Sequence, residues 1–234
     1  FKGHMPTRQA LAESRNAVAV WIAREIGVDR MIDAARELGI RSPVQPYITT
    51  ALGASEVTLL ELAGVYRAMA SGILAEPYIL ARVTDTSGAV LYASARTAVD
   101  IGSTGIERIQ EGLRGVVRLP EGTAHRLHAR DFAIPVMGKT GTTSDFRDAL
   151  FVGSTYGPTG LTVAVRVGFD DNRALGDGET GGRLALPIFR DIMLRVYRQE
   201  LAGPVPEFPA AIERSIDRYE ARRAVPPSPA PGAD

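Results

Sequence analysis

Three strand-like runs stand almost end to end in this chain: Ile134 to about Thr143, Ala149 to Tyr156, and Leu161 to Phe169. Gly157-Pro-Thr-Gly160 supplies a turn between the second and third. Connections this short cannot carry a crossover to a parallel neighbour, so the runs predict a three-stranded antiparallel meander. The surrounding periodicity is helical. Residues 7–26 read as a helix in two pieces, with Thr7 as the first cap and Asn16 starting the second, because Ser14-Arg15-Asn16 interrupts the apolar spacing. Val28 to Leu38 is a second helix stopped by Gly39. Thr58-Leu-Leu-Glu61 is a capping-box pattern that opens a helix to about Ala70, stopped near Gly72. Tyr78–Thr84 and Ala89–Ala93 flank Asp85-Thr-Ser-Gly88 and predict a hairpin. Residues 103–119 return to helical spacing, and the last predicted helix runs near Leu184–Arg198.

The fold class that follows is α+β, with helices packed on an antiparallel sheet. The main domain is expected over residues 1–200. Residues 201–234 are expected to form a C-terminal tail, disordered through Pro226-Pro-Ser-Pro-Ala-Pro-Gly. Three strands are few for a stable sheet, so further strands are expected from an N-terminal part outside this chain. The opening Phe1-Lys-Gly-His-Met-Pro6 reads as the middle of a longer sequence.

Composition narrows the chemistry. At 234 residues and 45% apolar content, a sizeable core is available. Lys+Arg and Asp+Glu are both 27, which lacks the basic excess of a nucleic-acid binder. The absence of cysteine excludes disulfides, thiolate chemistry and Cys-ligated zinc. His125 and His128 stand three apart with no acidic ligand at suitable spacing, so neither metal nor cofactor is expected. No run reaches the length of a membrane span. Asp170-Asp171 and Arg147-Asp148 are expected as turn caps or strand-end ion pairs. The stretch Arg214 to Arg223 is expected as a solvated helix or linker, and Trp21 and Tyr66 as core residues.

Only two lysines are present, Lys2 and Lys139. Lys139-Thr-Gly-Thr-Thr143 falls inside a predicted strand. Glycine in a strand marks close approach of a ligand or another backbone. An edge strand there can pair with an extended peptide, while an ammonium and hydroxyls hold a carboxylate. A glycine-rich strand end with a solvated lysine fits the pentapeptide equally well. Ser14-Arg15-Asn16 taken alone fits a helix cap.

Together, Ser14-x-Asn16 and Lys139-Thr-Gly match two of the three motifs of penicillin-binding proteins and class A β-lactamases. The context is more specific. Thr7–Val20, Ala51–Ala63, Gly122-Thr-Ala124, Phe146–Gly153, Gly168–Arg173 and above all Glu179–Arg190 resemble class A penicillin-binding proteins. The likeness spans about residues 6–195. The remaining motif, S-x-x-K, is absent, since Val136 stands three before Lys139 and nothing stands three before Lys2. An upstream fragment is expected to carry it.

The resemblance implies a peptidoglycan D,D-transpeptidase working through an acyl-serine intermediate, in a bifunctional protein with a glycosyltransferase. It implies stem peptides ending in D-Ala-D-Ala and β-lactam antibiotics as partners. It also implies the extracytoplasmic face of the bacterial inner membrane, through an anchor outside this chain. The roles implied are catalytic for Ser14, Asn16 and Lys139, and substrate-binding for Thr140, Gly141, Thr142 and Thr143. Two alternatives remain open: a D-Ala-D-Ala carboxypeptidase or β-lactamase-like hydrolase, and a non-catalytic β-lactam sensor. Arg15 in place of the β-lactamase Asp argues against the hydrolase.

Overall fold

The computed structural model describes residues 4–95, 97–102 and 104–224. Helices α1 (Thr7–Ala12), α2 (Asn16–Ile26) and α3 (Val28–Glu37) open the chain. Next come α4 (Leu59–Ser71), the short strands β1 (Ile73–Ala75), β2 (Arg82–Thr84), β3 (Val90–Ala93) and β4 (Ala98–Asp100), and α5 (Thr104–Arg118). The meander follows as β5 (Met137–Thr142), β6 (Asp148–Ser154) and β7 (Thr162–Gly168). Helices α6 (Ala185–Arg198) and α7 (Ala210–Ala224) close the described chain. The arrangement is the expected α+β.

The sheet order is β5-β6-β7 with antiparallel pairing throughout, so β5 is an edge. It begins at Met137 rather than Ile134, since Pro135 has no N–H for a ladder. The hairpin is also shorter than expected, pairing Arg82 with Ala93 and Val83 with Tyr92. A second pairing, β1 with β4, went unforeseen. Three-residue strands are too short to show alternation.

Strand alternation divides the core into two. Phe151 and Val165 lie on one face with Phe189 and Met193 of α6. Phe151 meets Phe189 edge-to-face at 4.7 Å between centroids, a favoured aromatic geometry. Met137 points to the other face, among Leu113, Leu119, Phe208, Ile212 and Ile216.

That second cluster corrects the reading of the C-terminal region. Helix α7 is no bare solvated segment. Ile212 and Ile216 are buried against α5, and Glu213 accepts from Arg114 Nε at 2.8 Å while pairing with Arg118. The Pro-rich stretch from Pro226 lies outside the described residues. Trp21 is a second correction: it is 57% exposed, not core. Tyr66 packs partly buried against the second cluster, and burial pushes its phenol up. Thr7 lies inside α1 rather than capping it; the cap position is Pro6, whose carbonyl accepts from Gln9 and Ala10.

The capping box at Thr58 forms as expected. Glu61 does more than close it. Its carboxylate accepts from the Ser42 hydroxyl at 2.6 Å and from the N–H groups of Ser42, Arg41 and Thr58. The Ser42 hydroxyl first, then these N–H groups, hold the carboxyl well below its usual range. This anchors both ends of the loop that carries Ala51 and Leu52.

Ile216→Ala should cost about 2–5 kcal/mol, the range for truncating a well-packed aliphatic. Urea melts of the two chains would measure it, and a loss below the error of the fit would mean α7 does not belong to the core.

Candidate active site

The turn between α1 and α2 brings Ser14 to the start of β5. Lys139 Nζ donates to Ser14 Oγ at 2.7 Å and to its neighbour's carbonyl, Thr140 O, at 3.1 Å. Two motifs far apart in sequence therefore touch. Ser14 has φ 55, a left-handed backbone that costs an L residue about 1–2 kcal/mol. Its N–H donates to Leu11 O at 3.2 Å, and that of Arg15 to Ala10 O at 2.8 Å. The strained turn thus closes α1 and aims the serine hydroxyl at the lysine. Asn16 opens α2 at the rim.

A cleft of about 360 Å³ lies over this contact. Ser14, Asn16, Lys139, Thr140, Gly141 and Thr142 all line it, with an apolar wall from Val18, Ile22, Ala51 and Leu52. Lys139 is pulled down to about 8 by burial. Desolvation disfavours the ammonium, so the group is charged below that pH and an amine above it.

Thr140 and Thr142 share the sheet face of Phe151 and Ala149, opposite Lys139. Their hydroxyls are used differently. Thr140 Oγ1 donates to Thr123 Oγ1 at 2.7 Å. Thr142 Oγ1 accepts from Gly181 N at 3.2 Å, which leaves its own hydrogen free for an incoming acceptor. Thr143 N–H donates to Asp148 O across to β6. By alternation, the N–H of Thr142 faces the open edge of β5.

Thr143 stands apart from the other motif residues. Its hydroxyl accepts from Asp148 N at 2.7 Å and closes the β5–β6 turn; it does not line the cleft. Asp148 pairs with Arg166 at 2.5 Å and Asp171 with Arg173 at 3.7 Å, as strand-end ion pairs. Nδ1 of half-buried His125 is 3.2 Å from Val117 O. Among the described residues, no three metal-ligating side chains converge, and no helix is long and apolar enough to cross a membrane.

Two supporting residues escaped the sequence reading. Thr123 sits in the Gly122-Thr-Ala124 loop and holds Thr140. Gly181 sits in the Glu179–Arg190 segment and holds Thr142. A Cβ on Gly181 would come within 2.2 Å of Leu150 O and 2.5 Å of Gly141 O, so only glycine permits that approach.

Residues 1–194 match the family model described as the penicillin binding protein transpeptidase domain. The chain belongs to the penicillin-binding protein transpeptidase family. Among curated relatives of this family, penicillin-binding protein 1A of Aquifex aeolicus (strain VF5) is 37% identical over 199 residues, covering 84% of this chain and 26% of that protein. Penicillin-binding protein 1A of Neisseria lactamica is 32% identical over 201 residues, covering 82% and 24%. The chain therefore spans about a quarter of the length of these relatives. Among solved structures, penicillin-binding protein 1A from Haemophilus influenzae superposes with TM-score 0.71 at 24% identity, covering 88% of this chain and 36% of that one. The imipenem acyl-enzyme complex of penicillin-binding protein A from M. tuberculosis gives TM-score 0.64 at 23% identity, covering 82% and 48%. At these identities the structures establish the transpeptidase fold.

Gly181→Ala should force the 180s segment off β5 and β6, an overpacking worth about 1–3 kcal/mol. A thermal melt several degrees lower is expected, and an unchanged melt would contradict the close approach.

Proposed function

We propose that this chain carries the S-x-N and K-T-G half of a peptidoglycan D,D-transpeptidase site. The serine of S-x-x-K would come from the rest of a longer protein, one that also bears a glycosyltransferase and a membrane anchor. The protein would work at the extracytoplasmic face of the bacterial inner membrane. The observation that carries this reading is the Lys139–Ser14 contact at 2.7 Å, set beside an open strand edge and a free threonine hydroxyl.

The chemistry proposed is acyl transfer. A serine hydroxyl, its proton taken by the lysine of S-x-x-K, attacks the carbonyl of the D-Ala–D-Ala peptide bond; the C–N bond breaks, and the terminal D-Ala leaves as the amine. An amine of a neighbouring stem peptide then takes the acyl group from the serine. Ser14 would pass a proton toward the leaving nitrogen. Lys139, as the ammonium, would keep the pocket positive and polarise Ser14. Positioned proton transfer of this kind contributes about 10²–10⁴ in rate.

The substrate would lie along the edge of β5. Its terminal carboxylate, or that of a β-lactam, would take the free hydroxyl hydrogen of Thr142 and, once it turns from Thr123, that of Thr140. The N–H of Thr142, turned to the open edge, would serve as one oxyanion donor. Asn16 would donate its amide to a substrate carbonyl. Gly141 adds no side chain to the sheet face it shares with Lys139, which would leave that face open beside an extended peptide.

The test uses the protein that contains this chain together with S-x-x-K, labelled with a fluorescent penicillin and followed by gel and intact mass. A stable acyl adduct is expected. Lys139→Ala should lower the acylation rate by roughly 10²-fold or more without altering the melt; normal acylation by that variant would overturn the assignment. Turnover of penicillin instead of a stable adduct would support a hydrolase.

Binding of a carboxylate-bearing β-lactam should also weaken as pH rises through about 8, where Lys139 loses its charge. A flat binding profile from pH 7 to 9.5 would contradict the idea that the ammonium keeps the pocket positive for the carboxylate.

A further inference from the structure

The groups that hold the Ser14 turn lead away from the cleft and into the last helix. Ser14 is flanked by Glu13 and Arg15, and these two side chains close on each other. Glu13 Oε2 accepts from Arg15 Nε at 2.7 Å, with Arg15 Nη2 at 2.5 Å. Both nitrogens meet one carboxylate oxygen, and charge-assisted bonds of this kind are among the stronger ones. The Glu13 side chain is only 5% exposed. A carboxylate in so dry a place is tolerated only while its acceptors are filled. The pair spans the residues on either side of Ser14, so it braces the backbone of the turn from which the hydroxyl reaches Lys139.

The other oxygen of the same carboxylate continues outward. Glu13 Oε1 accepts from Gln9 Nε2 at 2.7 Å, and Gln9 Oε1 accepts from the Tyr219 hydroxyl at 3.1 Å. Tyr219 lies on α7, with the guanidinium of Arg8 at 4.9 Å from its ring and that of Arg223 at 5.6 Å. Arg8 is tied to Glu111 of α5 at 2.6 Å. Four side chains thus form a continuous hydrogen-bonded row from α7 to the residues on either side of Ser14. Helix α7 begins at Ala210, beyond residue 194 where the family match ends.

We propose that Glu13 is a positioning residue for the Ser14 hydroxyl, and that α7 extends this clamp through Tyr219 and Gln9. The importance of Ser14 rests on the acyl-transfer reading above; the clamp itself rests on the geometry. Glu13 would touch no substrate. It would act through the backbone of the S-x-N turn, and α7 would influence the cleft without lining it.

The direct readout is made on the longer protein that contains this chain together with S-x-x-K. With lysine labelled with ¹³C and ¹⁵N, NMR follows the titration of Lys139, its signal assigned with Lys139→Arg. Glu13→Ala should lower the Lys139 midpoint, because the ammonium loses its hydroxyl acceptor, and should speed hydrogen exchange at Ser14 on the order of tenfold. Tyr219→Phe removes only the outer hydroxyl and should shift both readouts in the same direction by less, at an unchanged melt. Glu13→Gln keeps one acceptor for Arg15 and should fall between. If Glu13→Ala does not fold, Tyr219→Phe and Glu13→Gln carry the test. In the longer protein, Glu13→Ala should slow penicillin acylation on the order of tenfold. An unchanged or raised Lys139 midpoint, with unchanged exchange at Ser14 in these variants, overturns the clamp. A parent protein that takes up no penicillin would remove the acyl-transfer reading, and the Lys139 titration would still decide the clamp.

Discussion

The contact between Lys139 and Ser14 joins the edge strand of the sheet to the α1–α2 turn, and both partners are held at some expense. Lys139 is buried enough to be pulled down to about 8. Ser14 occupies a left-handed backbone that few non-glycine residues adopt. Neither condition would persist unless the surrounding structure imposed it. The backbone of α1 does so through Leu11 O and Ala10 O. The α1 segment is in turn linked to the K-T-G support loop, since Thr123 N–H donates to Ala12 O at 3.0 Å. One short helix therefore sets the serine on one side of the cleft and the loop behind Thr140 on the other.

The glycines around β5 divide the work between approach and openness. Gly138 leaves no room for a Cβ, which would meet Val152 O at 2.5 Å; the ladder there depends on its absence. Gly181 lets the segment after β7 press its backbone onto β5 and β6, and its N–H then orients the Thr142 hydroxyl. Gly141 differs: the nearest atoms to its Cβ would belong to the Leu150 side chain, at 3.2 Å. Its value in the proposed mechanism lies on the sheet face it shares with Lys139. A rigid sheet with a bare edge suits a site that must accept an extended chain and release it.

What could be read from the sequence was whatever is local. The capping box at Thr58, the stop at Gly72 and the meander with its short turns follow from neighbours in the chain. The K-T-G pentapeptide was visible because its residues are consecutive. Its meeting with Ser14 is tertiary and came only from resemblance. Thr123 and Gly181 were missed as site supports because their partners sit on other elements. Each lay in a segment noticed only for its family likeness. The docking of α7 was missed because the arginines of Arg214 to Arg223 read as a solvated helix or linker, although Ile212, Ile216 and Tyr219 carry helical spacing. Trp21 was misplaced because periodicity identifies an apolar face but not what covers it.

The α5–α7 contact shows how polar and apolar groups divide the task of docking that helix. Phe208, Ile212 and Ile216 supply burial, which has no preferred direction. The arginines supply direction. Arg114 donates to Val136 O at 2.8 Å and to Glu213 at 2.8 Å, and Arg118 reaches Glu213 and Asp217. Burial lowers the pKa of Arg114 while Glu213 offsets it, so the pair stands close to balance as a source of stability. Its effect is on register: a helix slipped by one residue would leave a buried guanidinium unpaired. That register is also what places Tyr219 opposite Gln9. The same ion pairs that fix α7 along α5 therefore fix the outer end of the row leading to Ser14.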